Sequence, residues 1–129
     1  MTSITTKLIE KAREVQKKAY APYSGFGVGA AILSDTQTFT GCNVENAAYP
    51  LGQCAEATAI GNMVAAGHQA ISAIVIAGPN DEFCYPCGGC RQKIAEFADA
   101  DTPVVLVNQQ GDTTQTTIGE LLPNTFRVK

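Results

Sequence analysis

The sequence predicts a three-layer α/β/α fold around a mixed, five-stranded sheet. Helical and strand patterns alternate along most of the chain, which is typical of α/β domains. Residues 71–77 and 103–107 are continuously apolar, as expected for strands that are buried on both faces. The helical segment between them predicts a right-handed crossover, so the centre of the sheet should be parallel and its ends antiparallel. The length of 129 residues, 45% of them hydrophobic, predicts one domain over residues 1–129.

The first part of the chain predicts a helix followed by a β-hairpin. Apolar residues recur at helical spacing over residues 3–20, and charged residues occupy the opposite face. After a segment rich in Pro and Gly, residues 26–33 predict the first strand. Gly27 and Gly29 lie within it and indicate that another element approaches closely. A polar turn then leads into the returning strand, over residues 38–43.

The second part predicts two helices, an edge strand and a final helical turn. Helix formers dominate residues 54–66, and Gly67 supplies a stop signal. A further helix is expected over residues 87–98, between the two buried strands. A turn then leads to an edge strand over residues 113–117 and a helical turn over residues 118–122.

Composition and charge narrow the function classes. The net charge is −3 and the chain has no run of Lys or Arg, so a small-molecule substrate is expected and not nucleic acid. No stretch is apolar enough to span a bilayer and the N-terminal segment is polar, so a soluble, cytoplasmic protein without a membrane partner is expected. Five cysteines without secretory features favour metal or thiol chemistry over disulfide bonds.

Two short motifs carry the chemistry. Residues 54–56 place Cys54 two positions before Glu56, and residues 86–90 place Cys87 and Cys90 two residues apart behind a proline. Three soft ligands hold Zn²⁺ and leave a fourth tetrahedral position for water, beside which a carboxylate that does not bind the metal can move protons. Either motif alone is weak evidence. In this order they are typical of zinc-dependent deaminases, with Cys in place of His as the first ligand.

Both motifs stand where predicted helices begin. Cys54 opens one helix and Cys87 opens the next, so two positive helix N-termini would point at the same place. Such a field favours thiolates, which are the form that binds zinc. A polar segment over residues 41–50 lies just upstream. It would be ordinary turn chemistry elsewhere, but its position here favours ligand binding.

The chain resembles the small, homotetrameric cytidine deaminases of nucleoside salvage. The resemblance covers essentially the whole chain, through the metal motifs and residues 21–24, 28–31, 41–49, 91–92 and 121–123. It implies zinc-dependent hydrolysis of cytidine and 2′-deoxycytidine to uridine and 2′-deoxyuridine, with release of ammonia, in pyrimidine salvage. It also implies one Zn²⁺ per subunit and a homotetramer.

The resemblance assigns roles to individual residues. Cys54, Cys87 and Cys90 would bind zinc, and Glu56 would shuttle protons. The implied substrate contacts are base stacking by Phe26, hydrogen bonds to the ribose 3′-hydroxyl from Asn43 and Glu45, peptide groups near Ala55 at the pyrimidine carbonyl, and Phe126 in a neighbouring subunit's pocket.

One position departs from the family pattern. Ala57 follows the proton shuttle, where the small deaminases usually carry arginine. Three thiolates on one Zn²⁺ leave net negative charge, which weakens the pull of the metal on its water. We expect the two helix N-termini to compensate for the missing arginine, with Arg91, Gln53 and Gln92 as additional donors.

Three other functions compete with nucleoside deamination. A related deaminase acting on another aminopyrimidine, such as blasticidin, would keep both metal motifs. A thiol oxidoreductase would use Cys87 and Cys90 without a metal and would not need Glu56. A structural zinc domain would recruit Cys42 or Cys84 as a fourth ligand.

Overall fold

The computed structural model describes residues 2–128. The elements in chain order are α1 (Ser3–Gln16), β1 (Gly29–Ser34), β2 (Gln37–Cys42), a 3₁₀ turn (Tyr49–Leu51), α2 (Ala55–Ala65), β3 (Ala73–Ala77), α3 (Gly88–Glu96), β4 (Pro103–Val107), β5 (Thr113–Thr117) and α4 (Ile118–Leu121). None of the helices in these residues is long and apolar enough to cross a membrane.

The five strands form one mixed sheet in the order β2-β1-β3-β4-β5. β3 and β4 are parallel, and the other three neighbouring pairs are antiparallel. The predicted mixed, five-stranded sheet is therefore confirmed. Because β1 is antiparallel to both of its neighbours, β2 and β3 run in the same direction.

Helices cover both faces of this sheet, which confirms the three-layer prediction. Alternate residues of each strand point to opposite faces, so Ile74 and Ile76 of β3 pack in one cluster while Val75 packs in the other. The larger cluster joins the sheet to α2 and α3. The smaller one joins it to α1, through Leu8 and Ala12.

The first helix ends earlier than predicted. It begins at an N-cap, where the Thr2 hydroxyl accepts from the Thr5 amide at 3.1 Å, but it stops at Gln16 and not near residue 20. The Tyr20 amide donates to the Asn43 carbonyl at 3.0 Å, and the Glu45 amide donates to the Tyr20 carbonyl at 2.8 Å. This pairing holds Tyr20 in an extended conformation, so local helix propensity loses to tertiary hydrogen bonds.

Two predicted strands begin later than expected. β1 starts at Gly29 and not at residue 26, because the Asn43 side chain takes the place of a strand partner there. Its Oδ1 accepts from the Val28 amide and its Nδ2 donates to the Phe26 carbonyl, both at 2.8 Å. β3 starts at Ala73 and not at residue 71.

Two glycines allow helices to lie against the sheet. A Cβ added at Gly29 would lie 2.1 Å from the Ala12 carbonyl oxygen of α1, which confirms the predicted close approach. A Cβ at Gly41 of β2 would lie 2.3 Å from the Ala59 amide nitrogen of α2. Backbone atoms cannot move aside as a flexible side chain would. Gly41 therefore sets how closely the helix that carries Glu56 approaches the sheet.

We expect Gly41→Ala to destabilise the fold by about 1–3 kcal/mol or more, because the added methyl group collides with the α2 backbone. Thermal or urea denaturation measures this effect. The matched control is Gly61→Ala, in the interior of α2, where an added Cβ meets nothing within 4 Å. That control should be neutral or stabilising by about 0.5–1 kcal/mol. Equal stabilities for the two variants would contradict this account of the packing.

Candidate active site

The candidate active site lies at one edge of the sheet, where two helices begin. β2 and β3 run in the same direction, so the chain leaves both strands at that edge and then enters α2 and α3. Cys54 is the N-cap of α2, Cys87 is the N-cap of α3, and Cys90 lies in the first turn of α3. The three Sγ atoms all lie within 4.8 Å of one another. The fold therefore brings together cysteines from two motifs that lie more than 30 residues apart.

The three sulfur atoms fit a tetrahedral zinc ion. A Zn–S bond of about 2.3 Å places sulfur ligands about 3.8 Å apart around a tetrahedron. Separations within 4.8 Å reach this geometry with small side-chain movements. The group contains three cysteines and neither Cys42 nor Cys84, so a tetrahedral ion held here keeps one position for a ligand from outside the protein.

The cysteines differ in their tendency to ionise without a metal. Burial raises the pKa of the Cys54 and Cys90 thiols. The pKa of Cys87 is lowered, chiefly because the Cys90 amide donates towards its sulfur, with help from the Gly89 amide. The predicted effect of a helix N-terminus is thus present at Cys87 of α3 but not at Cys54 of α2, where burial raises the pKa. Metal coordination would deprotonate the other two thiols outright.

Glu56 stands beside the sulfur atoms and is almost fully buried, with 4% of its surface exposed. Burial raises the pKa of its carboxyl group, and the hydrogen bond from its own backbone amide, the positive charge of Lys93 and the Cys90 thiol offset part of this effect. A carboxyl group with a raised pKa binds and releases protons closer to neutral pH than an exposed one. Glu56 is therefore suited to proton transfer.

A cleft of about 330 Å³ opens above Glu56 and the cysteines. Seven predicted site residues line it, namely Phe26, Asn43, Glu45, Cys54, Ala55, Glu56 and Cys87. Sequence analysis gave no role to three further lining residues, Ser24, Val28 and Tyr85. The remaining lining residue is Cys84, which was considered only as a fourth ligand of a structural zinc site. Tyr85 directly precedes the second metal motif, and this position in the sequence could have identified it as a site residue. Burial raises the pKa of Cys84 to about 11, so it is a neutral thiol in the cleft wall.

Asn43 and Glu45 already have partners within the protein. Both amide atoms of Asn43 bind backbone atoms of the segment before β1. Glu45 accepts from the Tyr23 and Ser24 amides at 3.0 and 3.1 Å and from the Ser24 hydroxyl. The bond from the Ser24 hydroxyl is the main reason that the pKa of Glu45 is lowered. Ribose contacts by these residues stay a prediction and would use their remaining hydrogen-bonding capacity.

Five predicted site residues lie outside the cleft lining: Cys90, which belongs to the cysteine cluster, and Arg91, Gln92, Gln53 and Phe126. Arg91 donates to the carbonyl oxygens of Pro86 and Leu121, Gln92 to that of Phe126, and Gln53 to the Thr58 hydroxyl. Within residues 2–128, none of the three donors hydrogen-bonds to a cysteine sulfur. Their predicted compensation of thiolate charge therefore stays a prediction without a supporting contact. Phe126 is 72% exposed and does not line the cleft of its own subunit.

Comparison with known proteins agrees with this geometry. The model of the cytidine and deoxycytidylate deaminase zinc-binding region matches residues 2–106. The chain belongs to this family. Its predicted family is thereby confirmed, and the fold and the cysteine cluster are consistent with membership.

Individual family members are similar over most of the chain. The cytidine deaminase of Sporosarcina psychrophila is 43% identical over 121 residues, covering 93% of this chain and 89% of that protein. A crystal structure of cytidine deaminase from Burkholderia pseudomallei has a TM-score of 0.90 and 46% identity, and covers 98% of this chain and 100% of that one. The blasticidin-S deaminase of Bacillus cereus is 35% identical over 105 residues, 74% of each chain.

We expect a zinc site made of three cysteines and no fourth. Cys54→Ser, Cys87→Ser and Cys90→Ser should each lower the zinc content of the purified protein, because each removes one of the three converging sulfur atoms. Cys42→Ser and Cys84→Ser are the matched controls and should bind as much zinc as the parent. Elemental analysis measures the metal content. Loss of zinc from either control would indicate a closed, four-cysteine structural site.

Proposed function

We propose that this protein is a zinc-dependent deaminase that hydrolyses cytidine and 2′-deoxycytidine to uridine and 2′-deoxyuridine, releasing ammonia. The observation that carries the proposal is the placement of buried Glu56 beside three converging cysteines, at the bottom of an open cleft. Three ligands and a free carboxylate are what a hydrolytic site requires. One Zn²⁺ per subunit is expected from the single cluster of three cysteines.

Glu56 performs the proton transfers in this scheme. A bound zinc ion would act as a Lewis acid and lower the pKa of a water molecule it holds to about 7. The Glu56 carboxylate accepts the proton of the attacking water and delivers it to N3 of the cytosine ring. It then accepts the second proton of that water, from the hydroxyl group now on C4, and passes it to the amino group, which leaves C4 as ammonia while the C4 carbonyl forms. One carboxylate thus acts as base and then as acid, and its raised pKa supports both steps.

The other residues of the cleft orient the nucleoside. Phe26 lines the cleft and offers an aromatic face for the base. Backbone groups near Ala55, at the start of α2, would bind the pyrimidine carbonyl. Asn43 and Glu45 offer hydrogen bonds to the ribose 3′-hydroxyl. The lowered pKa of Glu45 keeps it a carboxylate acceptor at neutral pH.

The competing functions have weaker support. A thiol oxidoreductase needs two cysteines, whereas three converge here beside a buried carboxyl group. A structural zinc site needs a fourth protein ligand, and the cluster contains three. Similarity to a blasticidin-S deaminase covers less of the chain than similarity to the cytidine deaminases. These observations favour a nucleoside substrate.

We further propose that residues 1–129 form one catalytic domain of a cytoplasmic homotetramer in pyrimidine salvage. Phe126 supports the shared site, because it is exposed on its own subunit and would enter the pocket of a neighbour. Tyr49 and Leu51 are also large and exposed, on the segment between β2 and α2. Closed two-fold symmetry would bury such surfaces in pairs.

The direct test mixes purified, zinc-loaded protein with cytidine and follows the change in ultraviolet absorbance as the amino group is lost. Deoxycytidine and blasticidin S serve as parallel substrates, and ammonia is measured in each reaction. Conversion of both nucleosides supports the proposal. A zinc-loaded protein that leaves cytidine unchanged would refute it.

Glu56→Gln should bind zinc and fold like the parent while turnover falls by at least 10²–10⁴-fold, the typical contribution of a general acid–base group. The reason is that an amide cannot exchange the proton. Elemental analysis, circular dichroism and the absorbance assay measure the three properties. Glu10→Gln, on the exposed face of α1, is the control and should retain full activity. If Glu56→Gln loses its zinc, Glu56 is a ligand and this mechanism is wrong.

Phe126→Ala should lower kcat/KM by about 10-fold or more, since stacking of an aromatic ring on a base contributes about 1–3 kcal/mol. Val128→Ala removes a neighbouring exposed apolar side chain and should be neutral.

Subunit mixing tests whether the site is shared. Oligomers assembled from Phe126→Ala and Glu56→Gln chains contain sites with Glu56 from one chain and Phe126 from the other. Their activity should exceed the mean of the two separate variants, and a value equal to that mean would exclude a shared site.

A further inference from the structure

Arg91 joins two parts of the chain that are distant in sequence. Its Nε donates to the carbonyl oxygen of Pro86 at 2.8 Å, and its Nη1 donates to the carbonyl oxygen of Leu121 at 3.0 Å. Pro86 directly precedes Cys87, and Leu121 is the last residue of α4. The side chain is half-buried, so water competes less for these bonds than it would at the surface.

The segment that carries Cys87 depends on Arg91 at two points. Pro86 is fully buried and has no N–H, so its carbonyl is its single backbone hydrogen-bonding group and needs a donor. The Arg91 side chain provides that donor. The Arg91 backbone amide also donates to the Cys87 carbonyl at 2.9 Å. The backbone bond to Cys87 would form with any residue at position 91, whereas the bond to the Pro86 carbonyl requires the arginine side chain.

The second partner of the Arg91 side chain, the Leu121 carbonyl, also needs a hydrogen-bond donor. α4 is a single helical turn, and the last carbonyls of a helix have no donor within the helix. The guanidinium group of Arg91 supplies one to Leu121. Because guanidinium is planar and its N–H groups point in fixed directions, it holds both carbonyls in one geometry.

We propose that Arg91 is a positioning residue of the metal centre: it fastens the Pro86–Cys87 segment to the end of α4 and thereby fixes Cys87 Sγ relative to the sulfurs of Cys54 and Cys90. This inference rests on the zinc site proposed above. It differs from compensation of thiolate charge, which requires only a nearby cation. Lysine separates the two, because its ammonium group keeps the charge but lacks the planar fork.

The experiment compares the parent with Arg91→Lys, Arg91→Ala and the control Arg13→Ala. Arg13 also donates to a backbone carbonyl, that of Gln109 at 3.1 Å, but from α1 on the other face of the sheet. Co²⁺ replaces Zn²⁺ and the visible absorption bands report ligand geometry. Release of Zn²⁺ to a chelator is timed in parallel, and circular dichroism verifies the fold.

Both Arg91 variants should show altered cobalt bands and release zinc about 10–100-fold faster than the parent, the usual effect of losing a group that orients a ligand. Arg13→Ala should match the parent in both measurements. If Arg91→Lys behaves like the parent, charge is sufficient and the positioning role is refuted. Parent-like behaviour of both variants also refutes it. If Arg91→Ala fails to fold, the comparison of Arg91→Lys with the parent is sufficient for the test. If the parent binds neither Zn²⁺ nor Co²⁺, the proposed zinc site is refuted, and the positioning role of Arg91 is refuted with it.

Discussion

The distance between two helices governs this site. β2 and β3 run in the same direction with β1 between them, so they lie about 10 Å apart at the usual strand spacing of about 4.8 Å. Packed helices are separated by about 8–10 Å. α2 and α3, which follow these strands on the same face, therefore lie side by side with their N-termini at one edge. The convergence of Cys54 on Cys87 and Cys90 follows from that spacing, and Gly41 allows α2 to approach the sheet closely enough to keep it.

The wall of the cleft is built by the same side chains that are expected to bind substrate. The segment before β1 has no strand partner at Phe26, and the Asn43 amide replaces that partner with two hydrogen bonds. Glu45 likewise accepts hydrogen bonds from the backbone amides of Tyr23 and Ser24 and so holds the turn at Ser24. Removing either side chain would therefore displace Phe26 or Ser24 as well as any ribose contact. Activity alone could not separate the two roles of Asn43.

The sequence predicted what local patterns and motif spacing determine. β4 and β5 have the predicted bounds, because buried apolar runs and the turn between them are local signals. The three cysteines converge as their order suggested, and Glu56 lies beside Cys90 in the same cleft region. Features that depend on tertiary partners were missed. The end of α1 is decided by Tyr20 pairing with a distant segment, and the direction of Arg91 is decided by α4, some 30 residues later.

The cysteines and Glu56 would bring negative charge to this edge of the sheet. Positive groups of α3 oppose that charge. Three thiolates would outweigh one bound Zn²⁺, and the Glu56 carboxylate would add to the negative charge. The amide of Cys90 acts on Cys87, while the ammonium group of Lys93 acts on Glu56 from the same helix. Ala57 and Lys93 both line a groove of about 450 Å³, and the alanine side chain contributes no charge to the site. The electrostatics of the site therefore depend on how α3 is placed against α2. In the proposal above, Arg91 fixes that placement by binding the Pro86–Cys87 segment at the start of α3.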